Sequence, residues 1–185
     1  MGKYKYQRED MTTVEEIQDN INNSRWPWLK SIFAFLYLFG PRISEALSRK
    51  RKHFTFEGNN LAVRIGILKR KEKPAGPYKE IPHIIRISIN APFMRGYLVP
   101  YIKNFHDPEM YLWPFSRQLV WKRMKEVNPN LSPHLLRHDR LMKLAIEGAT
   151  EMELMDWAGW NDPRPASTYI RATGLLIEKY ADKVK

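Results

Sequence analysis

Apolar residues recur at helical spacing through residues 27–39, where Leu29, Ile32, Phe33, Leu36 and Tyr37 share one face, as in a helix packed on a core. Upstream, Thr12 or Thr13 can cap a helix running to about residue 22, with Glu15 and Glu16 placed in its first turn where they favour the helix dipole. Gly40-Pro41 interrupts the pattern. Residues 42–48 can then start a new helical turn, because proline is tolerated at a helix's first position. Residues 53–57 and 61–68 alternate as strands do, and Gly58-Asn59-Asn60 between them has hairpin-turn chemistry. A third strand over residues 84–89 places Ile85, Ile87 and Ile89 on one face and Arg86 and Ser88 on the other. Before it, Lys69-Arg70-Lys71-Glu72-Lys73 runs into Pro74-Ala75-Gly76-Pro77, a loop by composition. From Pro92 onward helices dominate, over about residues 93–104, 117–127, 134–147, 151–158 and 175–184. The expectation is a mainly helical α+β fold with a small three-stranded antiparallel sheet.

Length makes this one domain. With 185 residues, 43% of them hydrophobic, the chain supports one well-buried core and is too short for two ordinary domains. Residues 1–185 are therefore read as a single unit: leading helices over about 12–39, a sheet region over about 53–89 and a helical half over about 93–185. Lys and Arg total 31 against 20 Asp and Glu, and the net charge of +11 suits a polyanionic partner. There is no cysteine, which excludes disulfides, thiol catalysis and thiolate metal sites, and the five histidines are read as scattered, with no metal-ligand pair expected among them. No metal or other cofactor is expected. The apolar run over residues 32–39 is too short to span a bilayer. Met-Gly-Lys-Tyr-Lys-Tyr-Gln-Arg at the start has no apolar segment behind its basic residues and so is no signal peptide. The expected location is the cytoplasm, with no membrane partner.

The chemistry-bearing residues are spaced along the chain. His134-Leu135-Leu136-Arg137 has a second copy in His83-Ile84-Ile85-Arg86. In a strand, residues three apart point to opposite faces, so His83 and Arg86 cannot grip one phosphate, whereas in a helix His134 and Arg137 share a face. Ser132-Pro133 is a credible start for that helix. Arg42 sits at a helix start beside backbone N–H groups, a natural anion site. Trp160 follows Arg137 by 23 residues, and Tyr169 follows Trp160 by nine.

The ordered set Arg42-Ile43-Ser44-Glu45, His134-Leu135-Leu136-Arg137, Gly159-Trp160 and Tyr169 resembles the catalytic domain of the tyrosine recombinase, or phage integrase, family over nearly the whole chain. A tyrosine hydroxyl ionises near pH 10 and is a poor unaided nucleophile. The resemblance implies that Tyr169 attacks a DNA phosphodiester to form a 3′-phosphotyrosyl intermediate, while Arg42 and Arg137 clamp the non-bridging oxygens. It implies that His134 orients the phosphate or helps accept the tyrosine proton, that Trp160 packs against the site, and that Lys69 protonates the departing 5′ oxygen. Lys71 and Lys73 share the loop with Lys69 and compete for that role. Tyr180 is the fallback nucleophile, although Leu175, Leu176 and Ile177 beside it read as a packing helix. Glu45 reads as a support for the fold or for an arginine rather than as a chemical participant.

The implied partners are double-stranded DNA and further copies of the chain, as a tetramer on DNA. The implied activity is metal-independent site-specific recombination or integration for a virus, plasmid or other mobile element. A type IB topoisomerase and a non-catalytic DNA-binding regulator are the alternatives. Only 41 residues precede Arg42, enough for leading helices and not for the separate DNA-binding domain usual in the family. The expectation is an excised catalytic domain or a short member. Pro41 and the Pro-flanked loop over residues 74–82 are local departures, and the tail over residues 175–185 is expected to dock on a neighbouring subunit or on its own domain.

Overall fold

Helix α1 (Val14–Asn23) begins where Thr13 and Glu16 satisfy each other: Glu16 N–H donates to Thr13 Oγ1 at 3.1 Å and Thr13 N–H to Glu16 Oε2 at 2.8 Å. A computed structural model describes residues 11–67 and 81–174 of the chain. Helix α2 (Pro27–Phe39) carries Pro27 in its first turn and is buried nearly all round from Ser31 to Phe39, which makes it the central helix of the core. It ends at Gly40, whose φ of 63° is the left-handed cap that a side chain would strain. Helix α3 (Ile43–Leu47) follows at once, and a single tight turn (Arg51–His53) leads into the sheet.

The sheet comprises β1 (Phe54–Glu57), β2 (Asn60–Ile67) and β3 (Ile81–Ser88), antiparallel in that order. Glu57 pairs with Asn60 across a two-residue turn, and Leu61 pairs with Ile87. Phe54, Leu61, Val63, Ile65 and Ile85 are buried and join α2 in the core. Strand β3 starts three residues before the expected position.

Two expectations for the helical half change. Residues 93–104 do not form one α-helix: a wide turn (Met94–Leu98) precedes the short α4 (Val99–Lys103). Pro100 lies in that first turn and has no N–H for the carbonyl four residues back, so regular α pairing cannot run through it. The second change is an unexpected helix, α8 (Arg164–Ala172), which carries Tyr169. Its prolines occupy the start, where missing N–H groups cost nothing, and Asp162 accepts from the Arg164 N–H at 2.9 Å. The expected helix over residues 175–184 lies outside the described residues.

The other helices match the expected segments closely. Ser116, Ser132 and Thr150 cap α5 (Arg117–Val127), α6 (Pro133–Ile146) and α7 (Glu151–Ala158) by accepting backbone N–H bonds from Leu119, Leu135 and Glu153. Helix α6 packs on α2, while its far side meets α7 and α8 in a second apolar cluster containing Leu141, Met142, Leu154, Ala166 and Tyr169. Among the described residues no helix is long and apolar enough to cross a membrane.

Candidate active site

Arg42 occupies the cap position of α3, and Glu45 on that helix holds it twice. The Arg42 N–H and its Nη1 donate to the two Glu45 carboxylate oxygens, each at 2.7 Å. The N–H of Arg42 itself is therefore already taken, and what Arg42 offers outward is its guanidinium, with the side chain 44% exposed. Glu45 is buried, and it also lies 3.9 Å from Nη1 of Arg137, so one carboxylate serves both cations.

Arg137 is almost fully enclosed on α6. Its Nη1 donates to the Gly40 carbonyl at 2.6 Å and its Nη2 to the Ala158 carbonyl at 3.0 Å. Those carbonyls lie at the C-terminal ends of α2 and α7, where helix dipoles present negative charge and bonds within the helix run out. Burial and then the nearby Arg42 charge lower the Arg137 pKa to about 10, Glu45 opposing them, so it stays cationic at neutral pH.

His134 lies one turn before Arg137 on the same helix and is exposed. Partial desolvation, then the charges of Arg137 and Arg42, shift its pKa down and favour the neutral ring. The strand-borne copy divides as β geometry requires. His83 Nε2 is 3.1 Å from the Trp157 carbonyl, while Arg86 pairs with Glu57 on β1 at 2.8 Å.

Trp160 follows the end of α7 and lies between Arg137 and Tyr169. Its ring stacks on Tyr169 with centroids 5.8 Å apart and planes 18° apart, and the Arg137 guanidinium carbon is 5.7 Å from the Trp160 ring. Tyr169 is 8% exposed, and burial raises its pKa well above the ordinary phenol value against the opposing pull of Arg137. Its hydroxyl is hydrogen-bonded to Nδ1 of His138.

His138 is the site residue that sequence reasoning missed. It lies on α6 four residues after His134, and the two rings meet edge to face at 4.4 Å. The available signal was that helical spacing, which puts His134, Arg137 and His138 on adjoining parts of one face. Burial, then His134 and Arg137, press the His138 pKa down to about 4, leaving a neutral imidazole against a neutral phenol. Lys69, Lys71, Lys73 and Tyr180 lie outside the described residues.

Arg42 at the start of α3, His134 and Arg137 on α6, Trp160 after α7 and Tyr169 on α8 thus come to one place. Two guanidinium groups, an exposed imidazole and a phenol form a donor set matched to a phosphodiester and its attack.

No family model and no curated protein matches the sequence. Solved structures do resemble the fold. The XerA recombinase superimposes with a TM-score of 0.66 at 16% identity, over 95% of this chain and 65% of that one. The XerH site-specific recombinase bound to its palindromic difH substrate, in a post-cleavage complex, gives 0.67 at 13% identity, over 92% of this chain and 52% of that one. The catalytic domain of bacteriophage HP1 integrase gives 0.60 at 13% identity, over 93% of each chain. The chain spans about half to two-thirds of the length of the two Xer recombinases. Its helices and three-stranded sheet have the fold of the tyrosine-recombinase catalytic domain.

Proposed function

We propose that this protein is the catalytic unit of a site-specific DNA recombinase or integrase that cleaves and rejoins DNA through a 3′-phosphotyrosyl intermediate. The observation that carries the reading is the convergence of Arg42, Arg137 and Tyr169, residues far apart in sequence, around the α6 turn bearing His134. Arg42 and Arg137 hold the non-bridging oxygens of the target phosphate and offset the charge that develops at phosphorus. Arg137 is preset by its two helix-end carbonyls, and Glu45 steadies Arg42. His134, exposed and neutral, orients the phosphate.

Tyr169 Oη attacks, with its ring held flat against Trp160. The bond to the 5′ oxygen breaks, and that oxygen takes a proton from Lys69, with Lys71 and Lys73 as alternative donors. Because phosphoryl linkage is exchanged and not hydrolysed, a second strand's 5′-hydroxyl can reverse the step and complete recombination.

Double-stranded DNA is the partner this reading requires, and the charge of +11 favours it. Among similar folds, XerH is bound to difH DNA and the Tn1549 transposon integrase to transposon right end DNA. The reading extends to a tetramer assembled on DNA, to service of a mobile element or virus, and to action in the cytoplasm of a prokaryotic or host cell.

The test is a nicked suicide duplex bearing candidate sites, incubated with the protein in a metal-free buffer. A covalent protein–DNA adduct that vanishes in Tyr169→Phe supports the reading. No adduct, or one that persists in Tyr169→Phe, overturns it. Relaxation of supercoiled plasmid without strand exchange between sites would instead favour a type IB topoisomerase.

A further inference from the structure

The nucleophile's hydroxyl meets His138, not the His134 that the spaced motifs single out, and this contact divides the labour between the two imidazoles. His134 is exposed beside Arg42 and Arg137, where a phosphate would lie. His138 is set deeper, one ring edge against His134 and its Nδ1 bonded to Tyr169 Oη.

Resting on the recombinase reading above, we propose that His138 is a catalytic residue, the base that takes the Tyr169 proton at Nδ1. Acting as a base requires the tautomer with hydrogen on Nε2, in which the phenol donates to the Nδ1 lone pair. As Oη–P forms and P–O5′ breaks, the phenolic proton moves to Nδ1 and the 5′ oxygen receives one from Lys69, the proton donor of the recombinase reading. On religation the same Nδ1–H returns its proton to the departing tyrosine oxygen.

Three features support the assignment. Burial makes free phenolate at Tyr169 unfavourable, so a proton acceptor in direct contact has more to contribute than it would in water. The Trp160 stack holds the phenol ring on one side while His138 meets its hydroxyl. Burial first, then the neighbouring His134 and Arg137, disfavour a charged His138, so the ring in contact with the phenol is neutral at neutral pH.

The experiment measures single-turnover adduct formation on the nicked duplex by wild-type protein, His138→Gln, His138→Asn and His138→Ala, with DNA affinity and thermal unfolding recorded for each. Gln and Asn keep a hydrogen-bond acceptor but cannot serve as a base at neutral pH. The expected result is cleavage slowed about a hundredfold or more in both, at unchanged DNA affinity. Added imidazole is expected to restore part of the rate in His138→Ala and none in Tyr169→Phe. A 5′-bridging phosphorothiolate, whose sulfur leaves without a proton, is expected to rescue Lys69→Ala and not His138→Gln. Wild-type rates in folded His138→Gln or His138→Asn would overturn the role of His138 while leaving the recombinase reading intact. A wild-type protein that forms no adduct overturns both.

Discussion

Arg137 donates from Nη1 to the carbonyl of Gly40 at 2.6 Å, joining two residues 97 positions apart. The bond makes the end of the central helix α2 part of the site. It also makes the arginine that is proposed to grip phosphate a structural tie, with Nη2 engaged at the end of α7.

Replacing Arg137 is therefore expected to act twice. Arg137→Ala leaves the Gly40 and Ala158 carbonyls without their donor, which should cost about 1–3 kcal/mol, read as a lower urea midpoint at unchanged slope. Arg137→Lys cannot reproduce the planar fork that reaches both carbonyls. Adduct formation should fall a hundredfold or more in both variants, whatever stability Lys recovers.

Gly40→Ala should destabilise more than Gly58→Ala. Both positions have positive φ, 63° and 57°, so each alanine carries a backbone penalty of about 1–2 kcal/mol. At Gly58 nothing lies within 4 Å of the added methyl, whereas at Gly40 it meets Arg140 Cβ at 3.1 Å and crowds α6 beside Arg137. Equal melting temperatures for the two variants would contradict the close packing of α2 on α6.

Glu45→Ala removes the acceptor that Arg42 uses through both its backbone and its side chain. A loss of about 1–3 kcal/mol is expected from the unpaired N–H and the weakened support of two cations. Cleavage should fall about tenfold, because Arg42 loses its fixed orientation. Glu45→Gln keeps an acceptor for the N–H and should lie between Ala and wild type in urea unfolding.

Stability should decline in mild acid through His138. Its folded pKa of about 4 is below the unfolded value of about 6.5, so the unfolded chain binds the proton first as pH falls. The contribution is fully present above pH 6.5 and is lost as pH falls through about 4. Because the ring is only half-buried, the loss should be no more than about 3 kcal/mol. Urea midpoints at pH 7 and pH 4.5 should differ less in His138→Gln than in wild type. An equal difference would remove His138 from the acid response.

Much of the architecture was legible because it is encoded locally. Apolar spacing places α2, while Thr13 and Ser132 mark helix starts and the Gly58-Asn59 turn sets the β1–β2 hairpin. Helix α8 was not legible. Asn161-Asp162-Pro163-Arg164-Pro165 has loop composition, and the prolines at its start hide a short amphipathic helix whose buried side chains are Ala166 and Tyr169. The interruption around Pro100 is the converse case: the apolar pattern continues while the missing N–H stops the regular helix.

The sequence by itself determined the residue types, their order and the helical face shared by His134 and Arg137, since those depend on composition and a 3.6-residue period. Only the tertiary structure decided that Arg137 rests on the carbonyls of Gly40 and Ala158 and that Tyr169 meets His138. These contacts cross 97, 21 and 31 positions of chain and arise where α6 packs against α2, α7 and α8. A local period specifies which way a side chain faces along its own helix. Its partner is set by the helix that packs there.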